Sequence, residues 1–467
     1  QSGQVQQYAL PLIASEGFSP QGPSGAISVD VQQELEPPLA VTLSDALQNP
    51  GFAMFLVDLI QHERRIPGVA GELRAGRAGV LDRVEKHGDG SLEPSLVDVE
   101  QSNSSIRYGN RLILKFFRRI EHGVNLDLEM GRFLTETAAF EHVPPAAGFI
   151  EYGITGGTSA TLALLQGFVH NQGDAWRYAL QILDNYLARA TAAGPPPARL
   201  LAPSTLGLAE VPGLAAALLG EAIPFAELLG VRTAQLHQAL ASEQANRAGP
   251  DFAPEPFSAH YRETLSQSAV SLAREVLRIL RNFPPPAAVR EAVQSLLASE
   301  EAIIARFEAL RGLPLTAMRT RVHGDYHLGQ VLYTGSDFVI IDFEGEPERP
   351  LAERRQKRSP LSDVAGMLRS FDYASYSALR EKPAETGNPL ESWAALWASW
   401  VRAVFLRSYL RTAGDACFIP QDGRELGALL DFHLLEKAVY ELGYELKNRP
   451  EWVSIPIAGV LDVLGHR

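Results

Sequence analysis

The decapeptide RVHGDYHLGQ, Arg321–Gln330, is followed after a short interval by FVIIDFEGEPERP, Phe338–Pro350. Together they combine histidine, aspartate and glutamate, so they suit a metal site, a catalytic base or a polar loop. His323 and His327 have the i,i+4 spacing of two zinc ligands on one helix face. Two glycines in the decapeptide disfavour a helix, and the HExxH order of metalloproteases is absent. A zinc site is therefore a weak interpretation of this stretch, and an ordinary polar turn remains an alternative.

A phosphoryl-transfer interpretation uses more of the same residues. Such an enzyme needs an aspartate that accepts the proton of the attacking hydroxyl, and an amide side chain five residues later that holds magnesium. It also needs a second aspartate on the following hairpin. Asp325, Gln330 and Asp342 stand at these relative positions, with Gln330 in place of the usual asparagine. The pattern favours a kinase-like catalytic loop.

An ion pair that fixes the α and β phosphates of a nucleotide is predicted upstream. Lys115 lies at the end of the strand-like run RLILKFF, and Glu129 lies in the helix predicted to follow. Kinases pair a strand lysine with a helix glutamate for this purpose. Either residue alone is usually a solvated charge, but their order before Asp325 and Asp342 strengthens the kinase interpretation.

The nucleotide-binding segment is predicted between the first two strands of this lobe. It reads EQSNSS, without a glycine run or a Walker pattern. Its polar groups would donate hydrogen bonds to phosphate oxygens, and an ordinary polar turn is the alternative. Adenine would contact the backbone in LLQGFVHNQ, after the last strand. The residues predicted to bind the nucleotide are Ser102, Asn103, Ser104, Ser105, Lys115, Gln166, Gly167, Phe168 and Val169.

The order of elements predicts an α+β fold in three regions. Residues 1–94 form a small cap with strands around one helix, and the start of this cap is expected to be missing. Residues 95–172 form an intermediate sheet, whose hairpins turn at Gly109–Asn110 and Gly156–Gly157. Residues 173–467 form a lobe of long helices, among them Ala287–Leu310, separated by proline-rich breaks.

Composition excludes several classes of protein. The 467 residues carry a net charge of -13, whereas a nucleic-acid surface needs a concentrated basic face. No run of 18 apolar residues occurs, so we expect no membrane span. A single cysteine and the lack of a recognisable signal peptide fit a reducing, cytoplasmic location.

Three blocks closely resemble the bacterial maltokinases, including the maltokinase region fused to some trehalose synthases. They are HGDYHLGQVL, IIDFEGEPERPLAERRQKRSPLSDVAGMLRSFDYA and EKAVYELGYELKNRPEWVSIPIAGV. These enzymes belong to the aminoglycoside-phosphotransferase-like group of protein-kinase-like proteins. The resemblance implies a bilobal protein-kinase-like fold, with an N-terminal cap, a small antiparallel-sheet subdomain and a large helical C-terminal lobe.

The same resemblance implies ATP-dependent and Mg²⁺-dependent phosphorylation of maltose at its anomeric hydroxyl. The product, maltose 1-phosphate, would feed α-glucan synthesis. Asp325 would be the catalytic base, with Gln330 and Asp342 as magnesium ligands and Glu344 as an extra ligand. Lys115 and Glu129 would form the phosphate-fixing pair.

The sugar site is expected on the last long helix. A pocket for maltose should combine hydrogen-bonding groups with an aromatic face. From Lys437 onward, polar and aromatic residues recur at i, i+3, i+4, i+7 and i+8, although an ordinary amphipathic helix gives the same pattern. The predicted sugar contacts are Asp325, His327, Tyr440, Glu441, Tyr444, Glu445, Arg449 and Trp452.

Two alternatives to a maltokinase remain. A related kinase could act on another sugar or amino sugar, such as glucosamine, with the same catalytic block. A kinase-like module without activity could instead serve a trehalose synthase, by association or fusion. The basic run ERRQKRSP, residues 353–360, indicates local ion pairing or support of a phosphate site.

Overall fold

The structure, a computed structural model, describes residues 6–16, 27–33, 36–82, 92–99, 103–154, 157–190, 210–380 and 390–465. It divides into two compact units, Gln1–His170 and Asn171–Arg467. The predicted turn residue Gly156 lies outside the described ranges.

The first unit is built mainly from antiparallel strands. Its strands are β1 Gln7–Tyr8, β2 Leu12–Glu16, β3 Ile27–Gln33, β4 Glu36–Asp45, β5 Arg65–Pro67, β6 Gly71–Arg77, β7 Pro94–Val99, β8 Asn103–Tyr108, β9 Leu112–Phe117, β10 Arg119–Ile120, β11 Ala146–Ile154 and β12 Ser159–Gly167. Helices α1 Pro50–Gln61 and α2 Leu126–Arg132 accompany them.

A seven-stranded antiparallel sheet dominates this unit, in the order β5-β6-β11-β12-β9-β8-β7. The predicted hairpin at Gly109–Asn110 is confirmed, because Tyr108 and Leu112 are paired across it. Gly109 has a φ of 56°, a conformation that glycine adopts without steric cost. Strands from both sides of the predicted 94/95 boundary belong to this one sheet, so that boundary does not separate two sheets.

Helix α1 packs on the sheet and closes the core of the first unit. Asn49 caps its first turn, since its side chain accepts a hydrogen bond from the N–H of Phe52 at 3.0 Å. The buried face of α1, including Leu56 and Ile60, joins one apolar cluster with sheet residues. The hydroxyl of Tyr108 donates to the carbonyl of Ala53 at 2.8 Å and fixes the helix on β8.

The second unit is mainly helical. Its helices are α3 Ala175–Ala190, α4 Gly213–Leu219, α5 Ala222–Leu240, α6 Glu243–Arg247, α7 Ala259–Arg281, α8 Arg290–Ala298, α9 Glu300–Ala309, α10 Leu351–Arg354, α11 Leu361–Arg380, α12 Leu390–Ala413, α13 Gly423–Asn448 and α14 Ser454–Val463. Short strands β13 Glu255–Pro256, β14 Met318–Arg319, β15 Val331–Tyr333 and β16 Phe338–Ile340 interrupt them. Among the described helices, none is long and apolar enough to cross a membrane.

The predicted helix Ala287–Leu310 is broken in the structure. Helices α8 and α9 meet at Ser299, whose hydroxyl donates to the carbonyl of Ser295 at 2.8 Å. A serine that bonds its own preceding turn competes with the helical hydrogen bonds, which favours an interruption here. The hairpin predicted after the catalytic loop is confirmed, with β15 and β16 paired from Val331 to Ile340.

Helices α5 and α12 approach closely at Gly230. A Cβ atom at this position would lie 2.5 Å from the carbonyl oxygen of Phe405 and 3.0 Å from Cβ of Ser408. Since backbone cannot move aside cheaply, Gly230→Ala should lower the free energy of unfolding by about 1–3 kcal/mol. Denaturant titration would measure this. The control is Gly312→Ala, whose added Cβ would meet nothing within 4 Å; equal stability losses in both variants would contradict the close approach.

Candidate functional site

The loop that carries Asp325 is held through its backbone by Asp363, in the first turn of α11. The N–H groups of His323 and Gly324 donate to the two carboxylate oxygens of Asp363 at 2.8 and 3.0 Å. Gly324 has a φ of 86°, which permits the sharp turn before Asp325. The Asp325 side chain keeps 24% of its surface exposed. Asp363 therefore holds the backbone of the loop, while the Asp325 carboxylate remains accessible.

His323 ties the loop to the hairpin that follows. Its Nδ1 accepts a 3.4 Å hydrogen bond from the N–H of Asp325, so the ring proton sits on Nε2. That nitrogen donates to the carbonyl of Ile341 at 2.8 Å, next to Asp342. Both ring nitrogens of this buried residue are thus engaged within the protein. The geometry supports a structural role for His323 rather than zinc ligation.

His327 lies beside the carboxylate of Asp325. Its Nδ1 accepts from the N–H of Gly329 at 3.1 Å, which leaves the proton on Nε2, 4.0 Å from an oxygen of Asp325. Burial of the ring lowers the pKa of His327 below its usual value. The ring is consequently neutral near pH 7. Its predicted contact with a sugar stays a prediction.

Gln330 and Asp342, predicted as magnesium ligands, lie together. The amide nitrogen of Gln330 donates to Oδ2 of Asp342 at 2.9 Å. Asp342 has a φ of 67°, a conformation unusual for a residue other than glycine and frequent at functional sites. Glu344, two residues later, adds a further carboxylate. These oxygen donors fit Mg²⁺, which prefers carboxylate, carbonyl and water ligands.

The basic run after this hairpin is engaged locally. Arg354 donates to the carbonyl of Glu344 at 2.7 Å, next to the predicted metal ligands. Lys357 is buried, and its Nζ lies 2.6 Å from Oε1 of Glu255. The contacts agree with local pairing.

Lys437 of α13 contacts Asp325 directly. Its Nζ lies 3.5 Å from Oδ1 of Asp325 and 2.8 Å from Oε1 of Glu346. Burial alone would lower the pKa of Lys437, but these two carboxylates outweigh it and raise the pKa. Lys437, Glu346 and Tyr440 line a cavity that also reaches Gly324 and Tyr326 of the loop. The sequence pattern placed Lys437 in the polar stripe but did not predict its contact with Asp325.

The predicted sugar residues of α13 fall into two sets. Tyr440 lies near the loop, with its ring centre 5.1 Å from Nζ of Lys437. The carboxylate of Glu441 pairs with Arg369 at 2.9 Å. Burial raises the pKa of Glu441, an effect that the charge of Arg369 partly offsets.

The second set surrounds Trp452. Tyr373 stacks on this indole with ring centres 6.2 Å apart, and its hydroxyl donates to Glu445 at 3.0 Å. Arg449 pairs with the same carboxylate at 2.7 Å and lies 5.0 Å from the Trp452 ring. Tyr444 is 39% exposed. The aromatic faces suit a sugar, while Glu445 is already paired.

In the first unit, Lys115 of β9 contacts a carboxylate of α2. Its Nζ lies 3.4 Å from Oδ2 of Asp127, which is buried. Asn125 caps the helix and accepts from the N–H of Asp127 at 2.7 Å. Sequence reasoning selected Glu129 and missed Asp127, because both acids lie in the same first turn. Pairing of Lys115 with Glu129 stays a prediction.

The expectation of a loop over Asn103, Ser104 and Ser105 is wrong, because all three belong to β8. Ser105 is paired with Lys115 across the sheet. The Ser104 side chain is buried and accepts from Nε of Arg118 at 3.0 Å. Alternation along a strand therefore turns Ser104 inward. Ser102 lies outside the described residues.

The segment proposed to contact adenine ends strand β12. Gln166 and Gly167 are paired with Ile113 and Leu112 of β9. The N–H of Gly167 donates to Pro145 and that of Phe168 donates to Arg111, both at 2.8 Å. These two N–H groups are thus occupied within the first unit. Adenine contacts by the other groups of residues 166–169, including Val169, stay a prediction.

Comparisons with known proteins point to one kind of relative. No family model matches the chain. A glucosamine kinase of Streptacidiphilus jiangxiensis is 27% identical over 246 residues, which cover 52% of this chain and 50% of that protein. A glucosamine kinase of Mycolicibacterium smegmatis is 25% identical over 380 residues, covering 79% of each. The chain therefore aligns with only about half the length of the first relative.

Solved structures show the same fold. A crystal form of glucosamine kinase superposes with a TM-score of 0.63 and 21% identity, covering 95% of this chain and 94% of that one. A glucosamine kinase in complex with glucosamine, ADP and inorganic phosphate also gives 0.63, with 20% identity over 95% and 93% of the two chains. The kinase-like α+β fold predicted from the sequence is thus confirmed.

Proposed function

We propose that this protein is an ATP-dependent kinase that phosphorylates a hydroxyl group of a small sugar. The observation that carries the proposal is the accessible Asp325 carboxylate, on a loop whose backbone the buried Asp363 holds at His323 and Gly324. The contact between Gln330 and Asp342 supports it, because a phosphoryl-transfer site needs both groups near the base.

In the proposed reaction Asp325 accepts the proton of the sugar hydroxyl. The sugar oxygen then forms a bond to the γ-phosphorus of ATP, the bond to the β-phosphate oxygen breaks, and ADP leaves. Gln330, Asp342 and Glu344 would hold Mg²⁺, which neutralises charge on the phosphates. Lys115 would contact the nucleotide phosphates. Lys437 places a positive charge beside Asp325.

Glucosamine is the first candidate substrate. The two relatives described above are glucosamine kinases, and one of the solved structures with this fold contains glucosamine and ADP. An amino sugar presents an ammonium group next to its hydroxyls, and a carboxylate would recognise it.

Maltose is the second candidate, and a separate observation favours it. On α13 the carboxylates of Glu441 and Glu445 are already paired with arginines, and Glu346 is paired with Lys437. Paired carboxylates suit a neutral, hydroxyl-rich sugar better than an ammonium group. The resemblance of residues 436–460 to maltokinases points the same way. Association with a trehalose synthase would accompany this second function.

A coupled assay of ADP release would test the proposal with glucosamine, maltose, glucose, trehalose and an aminoglycoside. We expect turnover with glucosamine, and ³¹P NMR of the product would identify the phosphorylated hydroxyl. Turnover of maltose without turnover of glucosamine would replace the first candidate by the second. Nucleotide binding without turnover of any sugar would contradict the kinase proposal and favour the non-catalytic module.

A further inference from the structure

A buried chain of hydrogen bonds extends from the catalytic loop into the helical core. Asp363, which accepts the N–H groups of His323 and Gly324, also contacts Nε2 of His237 at 3.1 Å. The other ring nitrogen of His237 lies 2.9 Å from the hydroxyl of Tyr409. The chain thus links helices α12, α5 and α11 to the residues immediately before Asp325.

The chemistry of these buried groups shows how Asp363 is held. His237 and Tyr409 have 0% of their surface exposed. Burial raises the pKa of Tyr409 well above its usual value, so its hydroxyl keeps its proton. Since the carboxylate of Asp363 only accepts, Nε2–H of His237 donates to it, and the other ring nitrogen faces the Tyr409 hydroxyl. Asp363 then accepts three hydrogen bonds from fixed donors, which holds both carboxylate oxygens toward the loop.

The same face of α5 also holds the residue after Asp325. Thr233 precedes His237 by one helical turn, and its hydroxyl lies 2.9 Å from the hydroxyl of the buried Tyr326. Helix α11 approaches at the same place, since a Cβ on Gly366 would lie 2.6 Å from the carbonyl oxygen of Tyr326. The residues before and after Asp325 are therefore both held by contacts that lead to α5, the first through Asp363 and His237 and the second through Thr233.

We infer that His237 and Tyr409 are positioning residues, which act through Asp363 to set the backbone that presents Asp325. Only the kinetic part of the test rests on the proposed function. The alternative is that this chain merely joins α5 to α12 and adds stability to the core. If the role is positioning, a variant that breaks this chain of hydrogen bonds should have a looser loop and slower chemistry than a control variant that loses the same stability. The reason is that a misplacement of 1 Å can cost about 100-fold in rate.

Tyr409→Phe removes one hydroxyl and keeps the ring. The matched control is Tyr186→Phe, another fully buried tyrosine, whose hydroxyl donates to the carbonyl of Trp393 on the same helix α12 at 3.1 Å. Tyr326→Phe is a second variant, which removes the contact with Thr233. Each full-length protein would be compared by thermal unfolding, by kcat and KM, and by hydrogen exchange of the peptide spanning residues 322–328.

We expect Tyr409→Phe and Tyr326→Phe to speed exchange of this peptide and to lower kcat by about 10-fold, with KM little changed. The control should lose similar thermal stability but keep kcat and the exchange rate. Unchanged exchange and kcat in Tyr409→Phe would overturn the inference, whatever the result for Tyr326→Phe. If the unaltered protein phosphorylates no sugar, the proposed function fails, while hydrogen exchange still tests the chain of contacts.

Discussion

Asp325→Asn should lower kcat by on the order of 100-fold or more, the usual scale for removal of a general base, which is the role proposed for Asp325. Asparagine keeps the shape of the side chain but cannot take up the proton of the sugar hydroxyl. The backbone contacts with Asp363 do not involve this side chain, so the loop should keep its conformation. The affinity for ATP should therefore remain close to that of the unaltered protein.

Single-turnover kinetics and nucleotide titration would separate these two effects. Asp431→Asn is a suitable control, because it also removes one negative charge. Asp431 lies on α13 at a partly exposed site, and its partner Arg306 is 3.7 Å away. The control should keep its kcat. Substantial activity in Asp325→Asn would show that another group accepts the proton.

Glu436→Gln should give the largest loss of stability. The carboxylate of this buried residue accepts two bonds from Nη2 of Arg358, at 2.8 and 2.7 Å, and contacts Nδ1 of His433 at 3.1 Å. Arg358 also pairs through its backbone with Thr320, just before the loop that carries Asp325. Removal of one partner leaves a buried charge uncompensated, and we expect the free energy of unfolding to fall by about 3 kcal/mol.

The effect of Glu436→Gln should also depend on pH. Burial alone would raise the pKa of Glu436, but Arg358 and His433 outweigh it and hold the pKa well below its usual value. A carboxyl whose folded pKa is depressed stabilises the protein above its unfolded pKa, about 4.3 for glutamate. That contribution disappears as pH falls toward the folded pKa. The stability difference between the two proteins should thus be largest near neutral pH and shrink below about pH 4.

Urea titrations at several pH values would measure this difference. Glu275→Gln provides the control, because Glu275 pairs with Arg278 on the exposed face of α7. Exposed pairs contribute little to stability. A constant difference across pH, or an equal effect in the control, would contradict the role given to the buried pair.

Local patterns predicted the elements whose contacts are close in sequence. The Gly109–Asn110 hairpin and the hairpin after the catalytic loop depend on neighbouring residues, and the structure has both. Gln330 and Asp342, predicted as ligands of one metal, lie in contact at the base of that second hairpin, and their role as ligands stays a prediction. Short-range geometry was sufficient in each case.

Contacts between distant segments were not predictable in this way. Asp363 supports the loop from 40 residues away in the sequence, and His237 supports Asp363 from 126 residues away. Asp127 and Glu129 lie in the same helical turn, and the sequence spacing alone does not determine which of them faces Lys115 on β9. The polar run at Asn103 looked like a loop because serine and asparagine are typical of turns. Pairing with β9 overrides that preference.

The shared sheet of the first unit limits how this chain can be rearranged. Strand β6, from the first 94 residues, is paired with β11 along seven residues, from Gly148 to Ile154. A sequence that replaced those first residues would have to supply a strand of matching register, or leave the backbone of β11 with an open edge. Strand β6 of the N-terminal region is therefore an integral part of this sheet.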